Sequence, residues 1–439
     1  MGDAKIPQTA LGRASRLFLS GAKIAAREVS GRIASRLAQA SEGTPLSTKI
    51  RQTQDLVEAL GQLKGAAMKA GQLISLEFSD LLPPEVLDIL RQLHDSGSTM
   101  PFDQVRYILS RELGKERLSA LEDLSREPIA AASIGQVHRA TLNGKPVAVK
   151  VQFPGVANSI DADLSALRRI AGIALQIQGK DINLDAFFAE LAESLKKEAD
   201  YILEANNVER YRAHMHNPRF VVPSAMLEFT TSRVLTLSFE EGVRISDWMK
   251  SRPDREIVMD FAGLVTDLII DEFYVNGLVQ TDPNFGNFLF RPETRQLVLL
   301  DFGATNEYDQ AFRQEIRDLT LTALSGDEKR VIELTIAAGL LDPREPEEVM
   351  VLFSEMLRKV LQLFRPENQP FRFKDEVYLQ EVRDLSMRFV AKVRHSTPAR
   401  QIVFLNRKLG GMYHLLKDLE VEMDMRPILD RALKAPFRR

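Results

Sequence analysis

The chain contains no cysteine. That excludes disulfides, thiolate zinc sites and a cysteine nucleophile, and it leaves the redox compartment without a mark in the composition. No apolar run approaches the ~18–20 residues needed to cross a bilayer, so no spanning helix is expected. The longest candidates, such as residues 170–177, read as core helix. The net charge of −3 argues against a general nucleic-acid binder. The six histidines show no metal-ligand spacing, and His214 with His216 reads as an exposed pair. The single tryptophan, Trp248, reads as a packing residue, and no internal repeat is evident. At 439 residues, with 44% hydrophobic and 27% charged side chains, the chain is an ordinary globular sequence long enough for two or three packed units.

What is present is concentrated in two short stretches. The first is Gln280-Thr281-Asp282-Pro283-Asn284-Phe285-Gly286-Asn287, and the second is Asp301-Phe302-Gly303. An Asp, four residues, an Asn and then Asp-Phe-Gly is the order in which protein-kinase-like enzymes lay out their catalytic and metal-binding loops. Nucleotide phosphates need Mg²⁺, which prefers hard oxygen ligands such as a carboxylate and an amide oxygen. Asn287 and Asp301 supply those two types, and Asp282 is left to orient the nucleophile and accept its proton. Leu297, Val298, Leu299 and Leu300 read as a buried strand that delivers Asp301. Phe288-Leu289-Phe290 reads as a second strand, joined to the first through Arg291-Pro292-Glu293-Thr294.

Strand signals begin near Pro128, and an Asn143-Gly144 turn predicts a hairpin over 136–142 and 146–152. Lys150 lies in the second strand within Val147-Ala148-Val149-Lys150. A lysine at a strand edge facing water is one reading. A buried ammonium contacting nucleotide phosphates and paired with an acid is the other, and the downstream Asp282, Asn287 and Asp301 favour it. The expected phosphate loop carries Ala130, Ala131, Ala132 and Ser133 where glycines are usual, so a stiffer loop is expected. A long helical region is expected from about 158 to 213 and strands near 220–222 and 233–239. The adenine hinge is placed at Ser238-Phe239-Glu240. Helical periodicity resumes soon after Tyr308, which leaves no room for a long activation segment and argues against ordinary protein phosphorylation.

Residues 1–45 form a basic amphipathic leader in which Lys5, Arg13, Arg16, Lys23, Arg27, Arg32 and Arg36 alternate with Leu17, Phe18, Ile24, Ile33 and Leu37. An anionic membrane surface, packing on the rest of the protein and an organellar transit segment are all compatible with it. N-myristoylation is rejected because Ile6 stands where Ser or Thr is wanted.

These features together resemble the UbiB/AarF family of atypical kinases, and the Gln-Thr-Asp-Pro-Asn form is similar to its coenzyme-Q-associated branch. The family's Lys-x-Gly-Gln signature is matched by Lys69-Ala70-Gly71-Gln72, its Glu-x-Asp by Glu198-Ala199-Asp200, and its Glu-Ala-x-Asn by Glu204-Ala205-Asn206-Asn207. The resemblance implies an α+β, two-lobed, atypical protein-kinase-like fold with an N-terminal helical extension packed over the active site. The expected segments are the leader (1–45), the helical extension (46–120), an N-lobe with a helical insert (121–240) and a helical C-lobe (241–439). It also implies Glu204 as the partner of Lys150, with Asp200, Glu204 and Asn207 at successive helical steps. Lys69 and Gln72 are expected to reach the site and meet Glu198 and Asp200, for which a solvated acidic face is the alternative.

The implied cofactors are ATP or ADP and Mg²⁺. The implied role is an ATP-dependent kinase or ATPase supporting ubiquinone biosynthesis. Expected partners are an anionic or quinone-pathway lipid and proteins of quinone biosynthesis. The expected location is cytoplasmic, peripheral on the inner membrane, or the matrix side in a mitochondrion. A true protein kinase and a nucleotide-binding scaffold without turnover are the competing readings.

Overall fold

The computed structural model describes Ala70, Gly71 and Ile74, and then residues 99–438 apart from 133, 178–183, 283 and 397–399. The basic leader, Lys69, Gln72 and Ser133 lie outside the described residues. In chain order the structure opens with helix α1 (Phe102–Ala120) and strands β1 (Ala130–Ala132), β2 (Gly135–Leu142) and β3 (Lys145–Gln152). Helices α2 (Val156–Ile177), α3 (Asp185–Glu198) and α4 (Tyr201–His214) precede β4 (Phe220–Val221), β5 (Val234–Ser238) and β6 (Val243–Arg244). Helices α5 (Ile245–Lys250) and α6 (Arg255–Ile269) lead through a π-helical turn, Ile270–Asn276, into β7 (Leu278–Gln280). Strands β8 (Phe288–Arg291), β9 (Gln296–Leu299) and β10 (Thr305–Glu307) follow. The remainder is mostly helical: α7 (Gln310–Ser325), α8 (Glu328–Ala337), α9 (Glu347–Val360), α10 (Glu376–Lys392), α11 (Arg400–Asp418) and α12 (Arg426–Lys434).

The chain divides into two compact units. One holds the described residues up to Asn206 together with Ala225–Phe239, and the other holds Asn207–Ser224 and the described residues from Glu240 onward. The first unit is built on an antiparallel sheet of order β1-β2-β3-β5. Its central hairpin turns where expected. Asn143 and Gly144 both take positive φ, 52° and 73°, the conformation that a two-residue turn between twisted strands requires. Val147, Val149 and Val151 alternate into the core, as period-2 patterning dictates.

Two local expectations change. The alanine run is a strand and not a loop: Ala131 pairs with Gln136 and Ala132 with Gly135. Three small side chains with no glycine favour extended pairing over the positive-φ path of a nucleotide-cradling loop. Within the long helical region α4 starts afresh after α3, because Asp200 caps it. Its carboxylate accepts hydrogen bonds from the backbone N–H groups of Ile202 and Leu203 at 3.1 and 3.2 Å. Asp200 therefore precedes α4 and does not share a helical face with Glu204 and Asn207.

The second unit carries a sheet of order β4-β9-β8-β6, in which β8 and β9 form the expected hairpin with Phe288 opposite Leu299. Trp248 packs against Phe261 and Phe290 at centroid separations of 4.8 and 4.7 Å, fixing the back of that hairpin. A separate pair, β7 with β10, sets Gln280 opposite Thr305. Among the described residues no helix is long and apolar enough to cross a membrane.

Gly277 makes the bend from the π-helical turn into β7, with φ of 65°. A Cβ there would stand 2.4 Å from the Tyr308 carbonyl oxygen and 2.9 Å from the Arg313 guanidinium. Gly277→Ala is expected to cost about 2–4 kcal/mol through left-handed strain and overpacking, read from denaturant unfolding.

Burial raises the phenol pKa of Tyr211, Tyr308, Tyr378 and Tyr413, and pushes that of Tyr274 up to about 12. Groups raised in the folded state bind protons more tightly there than in the unfolded chain. Their contribution is complete below about pH 10, the ordinary tyrosine value, and is lost as pH rises toward 12. Unfolding curves at pH 9 and pH 11, with tyrosinate absorbance followed at 295 nm, should show stability falling over that interval before most phenols ionise in the native protein.

Candidate active site

In the first unit Lys150 stands on β3 between Val137 of β2 and Leu235 of β5. Its Nζ donates to both carboxylate oxygens of Glu204, at 3.0 and 2.9 Å. The pair is buried, with 11% and 1% of the two side chains exposed. The ammonium also lies 4.9 Å from the centre of the Tyr201 ring, a cation–π contact from a residue that is itself fully buried. A charge in this position is tolerated because it is met on two sides, and the edge-lysine reading is excluded.

Glu198 closes α3 and is 3% exposed, so it is not part of a solvated acidic face, whereas Asp200 is exposed and occupied as a helix cap. Ala130 and Ala132 are half-buried and Ala131 is exposed. Ser238 pairs with Val147, and the Phe239 N–H donates to the Pro146 carbonyl at 3.1 Å, so this N–H serves the sheet and is not free for an adenine ring.

In the second unit Asp282, Asn287 and Asp301 are brought together by backbone bonds. The Thr281 N–H and hydroxyl both donate to the Ala304 carbonyl, at 2.8 and 2.7 Å, and the Asn306 amide donates to the Thr281 hydroxyl at 3.0 Å. The loop after β7 is thereby fastened to the loop after β9. The Leu300 N–H donates to the Asn287 carbonyl at 2.9 Å, which sets Asn287 beside the residue preceding Asp301. Asp301 accepts from the Gly303 N–H at 2.9 Å, and Asp282, 6% exposed, accepts from the Asn284 N–H at 3.3 Å. Phe302 is fully buried. Its ring lies 4.7 Å from that of Tyr211, and its carbonyl accepts from Asn207 Nδ2 at 3.0 Å and from the Thr305 hydroxyl at 2.8 Å. Glu240 is ion-paired with Arg291 at 2.8 Å.

The donor set fits a magnesium–nucleotide complex. The Asn287 amide has a buried Nδ2 without a hydrogen-bond partner among the described residues. One end of that amide is therefore unsatisfied in either orientation. No group of three or more His, Asp or Glu that could hold a metal occurs among the described residues.

Residues 92–335 match the ABC1 atypical kinase-like domain. The chain belongs to this family. The resemblance to the UbiB/AarF atypical kinases is thus borne out. The ABC1 chain is 31% identical to the Schizosaccharomyces pombe protein named atypical kinase COQ8, mitochondrial, over 88% of its own length and 63% of that relative. It is 31% identical to the Saccharomyces cerevisiae protein of the same name, over 82% and 72%. It therefore spans less than two thirds of the fission-yeast relative. Among solved structures, the Rv3197–erythromycin complex from Mycobacterium tuberculosis superposes with a TM-score of 0.60 at 25% identity, covering 89% of this chain and 97% of that one. The fold is α+β and atypical-kinase-like, as expected.

Sequence reasoning paired Lys150 with Glu204 but missed Tyr201 beneath the ammonium and Thr281 as the clasp between the two loops. Tyr201 adjoins the Glu-x-Asp motif, and a large aromatic next to an expected buried charge was the available signal. Thr281 had none, because its partner is a backbone carbonyl 23 residues away. Lys150→Met should leave the Glu204 carboxylate buried and uncompensated, at a cost of about 3–5 kcal/mol in urea unfolding. Adding Glu204→Gln should recover part of that loss.

Proposed function

We propose that this ABC1 chain is a magnesium-dependent enzyme acting on ATP, an atypical kinase or ATPase, that supports quinone-lipid biosynthesis at a membrane surface. The observation that carries the reading is the buried ion pair of Lys150 with both oxygens of Glu204. A pseudo-enzyme scaffold has no need of that pair together with Asp282, Asn287 and Asp301.

Lys150 binds nucleotide phosphate, held in place by Glu204 and Tyr201. Asn287 and Asp301 hold Mg²⁺, which supplies charge neutralisation on the phosphates when bound. Asp282 orients the acceptor oxygen and takes its proton. The strand Ala130–Ala132 borders the phosphates, and backbone groups of Ser238, Phe239 and Glu240 other than the Phe239 N–H face the adenine. The four-segment organisation with boundaries at 45, 120 and 240 accompanies this reading. The basic leader carries membrane attachment on the cytoplasmic or matrix side of an inner membrane, near proteins of quinone biosynthesis. The quinone assignment rests on the Gln280-Thr281-Asp282-Pro283-Asn284 form and is supported by relatives named COQ8.

Helix α7 begins at Gln310, close behind Asp301, so the segment on which protein kinases dock a peptide is missing. Phosphate release from Mg-ATP should therefore be stimulated by anionic liposomes, be lost in Asp301→Asn, and fall about 10²-fold in Asp282→Asn. Rapid transfer to casein without a liposome effect would instead identify a protein kinase. Nucleotide binding without release under any condition would identify a scaffold.

A further inference from the structure

Helix α11 places a consecutive Arg-Lys pair, Arg407 and Lys408, against the catalytic loop. Lys408 is 1% exposed, among the most deeply buried large side chains described. Its Nζ lies 3.0 Å from Glu272 Oε2, in the π-helical turn, and donates to Gln280 Oε1 at 3.3 Å. It also lies 5.5 Å from the centre of the Phe288 ring. Gln280 is the last residue of β7, just ahead of Asp282, and Phe288 directly follows Asn287. One ammonium thus touches both ends of the loop that carries Asp282 and Asn287. Glu272, fully buried, accepts at its other oxygen from the Tyr211 hydroxyl at 3.2 Å, and the Tyr211 ring supports Phe302. Burial raises the Glu272 carboxyl pKa against the opposing pull of Lys408. The next cation along, Arg407, is half-buried, with Nη2 3.9 Å from Asp282 Oδ1.

A buried ion pair is a poor device for stability, because desolvation offsets most of its attraction and well-packed apolar side chains of similar volume do as well. What the charges add is direction. Lys408 can satisfy Glu272 and Gln280 only with the two ends of the loop at a set separation. Arg407 stands too far from Asp282 for a hydrogen bond, yet near enough to attract its carboxylate. It therefore biases the Asp282 rotamer without capping the oxygen that must meet an acceptor hydroxyl.

We infer that Arg407 and Lys408 are positioning residues for phosphoryl transfer, Lys408 setting the shape of the catalytic loop and Arg407 the orientation of Asp282. This rests on the reading of Asp282 as the group that orients the acceptor.

Three measurements on the full chain test it: turnover of Mg-ATP, the dissociation constant for Mg-ADP by calorimetry, and hydrogen exchange over residues 281–287. Arg407→Gln should lower turnover about 10- to 100-fold, the scale of misorientation, with Mg-ADP affinity unchanged. Arg407→Lys should restore most of the loss. In an Asp282→Asn background Arg407→Gln should add nothing, because the two side chains act as one unit. Lys408→Met alone risks misfolding, so it is paired with Glu272→Met, which removes both charges. That variant should fold and bind Mg-ADP, but exchange faster over 281–287 and turn over more slowly. Full turnover in Arg407→Gln, an equal further loss in the Asp282→Asn background, or unchanged exchange in the paired variant would overturn the inference. If the wild-type chain binds nucleotide yet releases no phosphate, the proposed enzyme activity fails. Exchange over 281–287 then still decides whether the pair shapes the loop.

Discussion

A lysine inside a sheet must be met by an anion, and this requirement organises the first unit. Lys150 is flanked by Val149 and Val151 on a strand paired on both sides, so its ammonium is largely withdrawn from bulk water. Glu204 answers it with both oxygens, and Tyr201 presents its ring one helical turn earlier. Both residues lie in the first turns of α4, whose start is set by Asp200. The broken helical region, the cap and the aromatic are consequences of placing one charge where water is excluded. Removing the cap would loosen the helix start and with it the carboxylate that meets Lys150.

The second unit solves a different problem, that of holding two loops still without a regular sheet between them. The two-stranded pair β7–β10 is too short to do so alone, and side chains supply the remaining bonds. Thr281 doubles the contact to Ala304, Asn306 adds a third bond, and Asn207 holds the Phe302 carbonyl. Each is a short polar side chain bonded to the backbone or to its neighbour, where little rotamer entropy is lost on ordering. The acidic groups are therefore presented by a rigid backbone, which suits chemistry that depends on placement and electrostatics more than on covalent steps.

Several elements were legible from residues alone because their signals are local. The Asn143-Gly144 hairpin, the β8–β9 hairpin and the early start of α7 each follow from turn chemistry or periodicity within a dozen residues. The Asp282, Asn287 and Asp301 set was legible from spacing, and Glu204 from its place in a motif. The alanine run was misread as a loop because its function was inferred by analogy with glycine-rich loops. Its pairing with β2 depends on the hairpin that follows it. The shared helical face of Asp200, Glu204 and Asn207 was misread because the spacing of four and three residues continues across a helix start that a capping carboxylate makes.

The sequence by itself determined the chemistry available: which residues can carry a metal, a phosphate contact or a proton, and in what order along the chain. Local rules suffice for that, since a strand delivers its terminal residue and a turn reverses the backbone wherever they occur. Only the tertiary structure decided which charges face each other. Glu198 is buried and Asp200 is not. Lys408, far along the chain and in no recognisable motif, stands at the foot of the loop that carries Asp282 and Asn287. Burial and long-range pairing are properties of the packed core, and no spacing along the chain encodes the dielectric in which a side chain comes to rest.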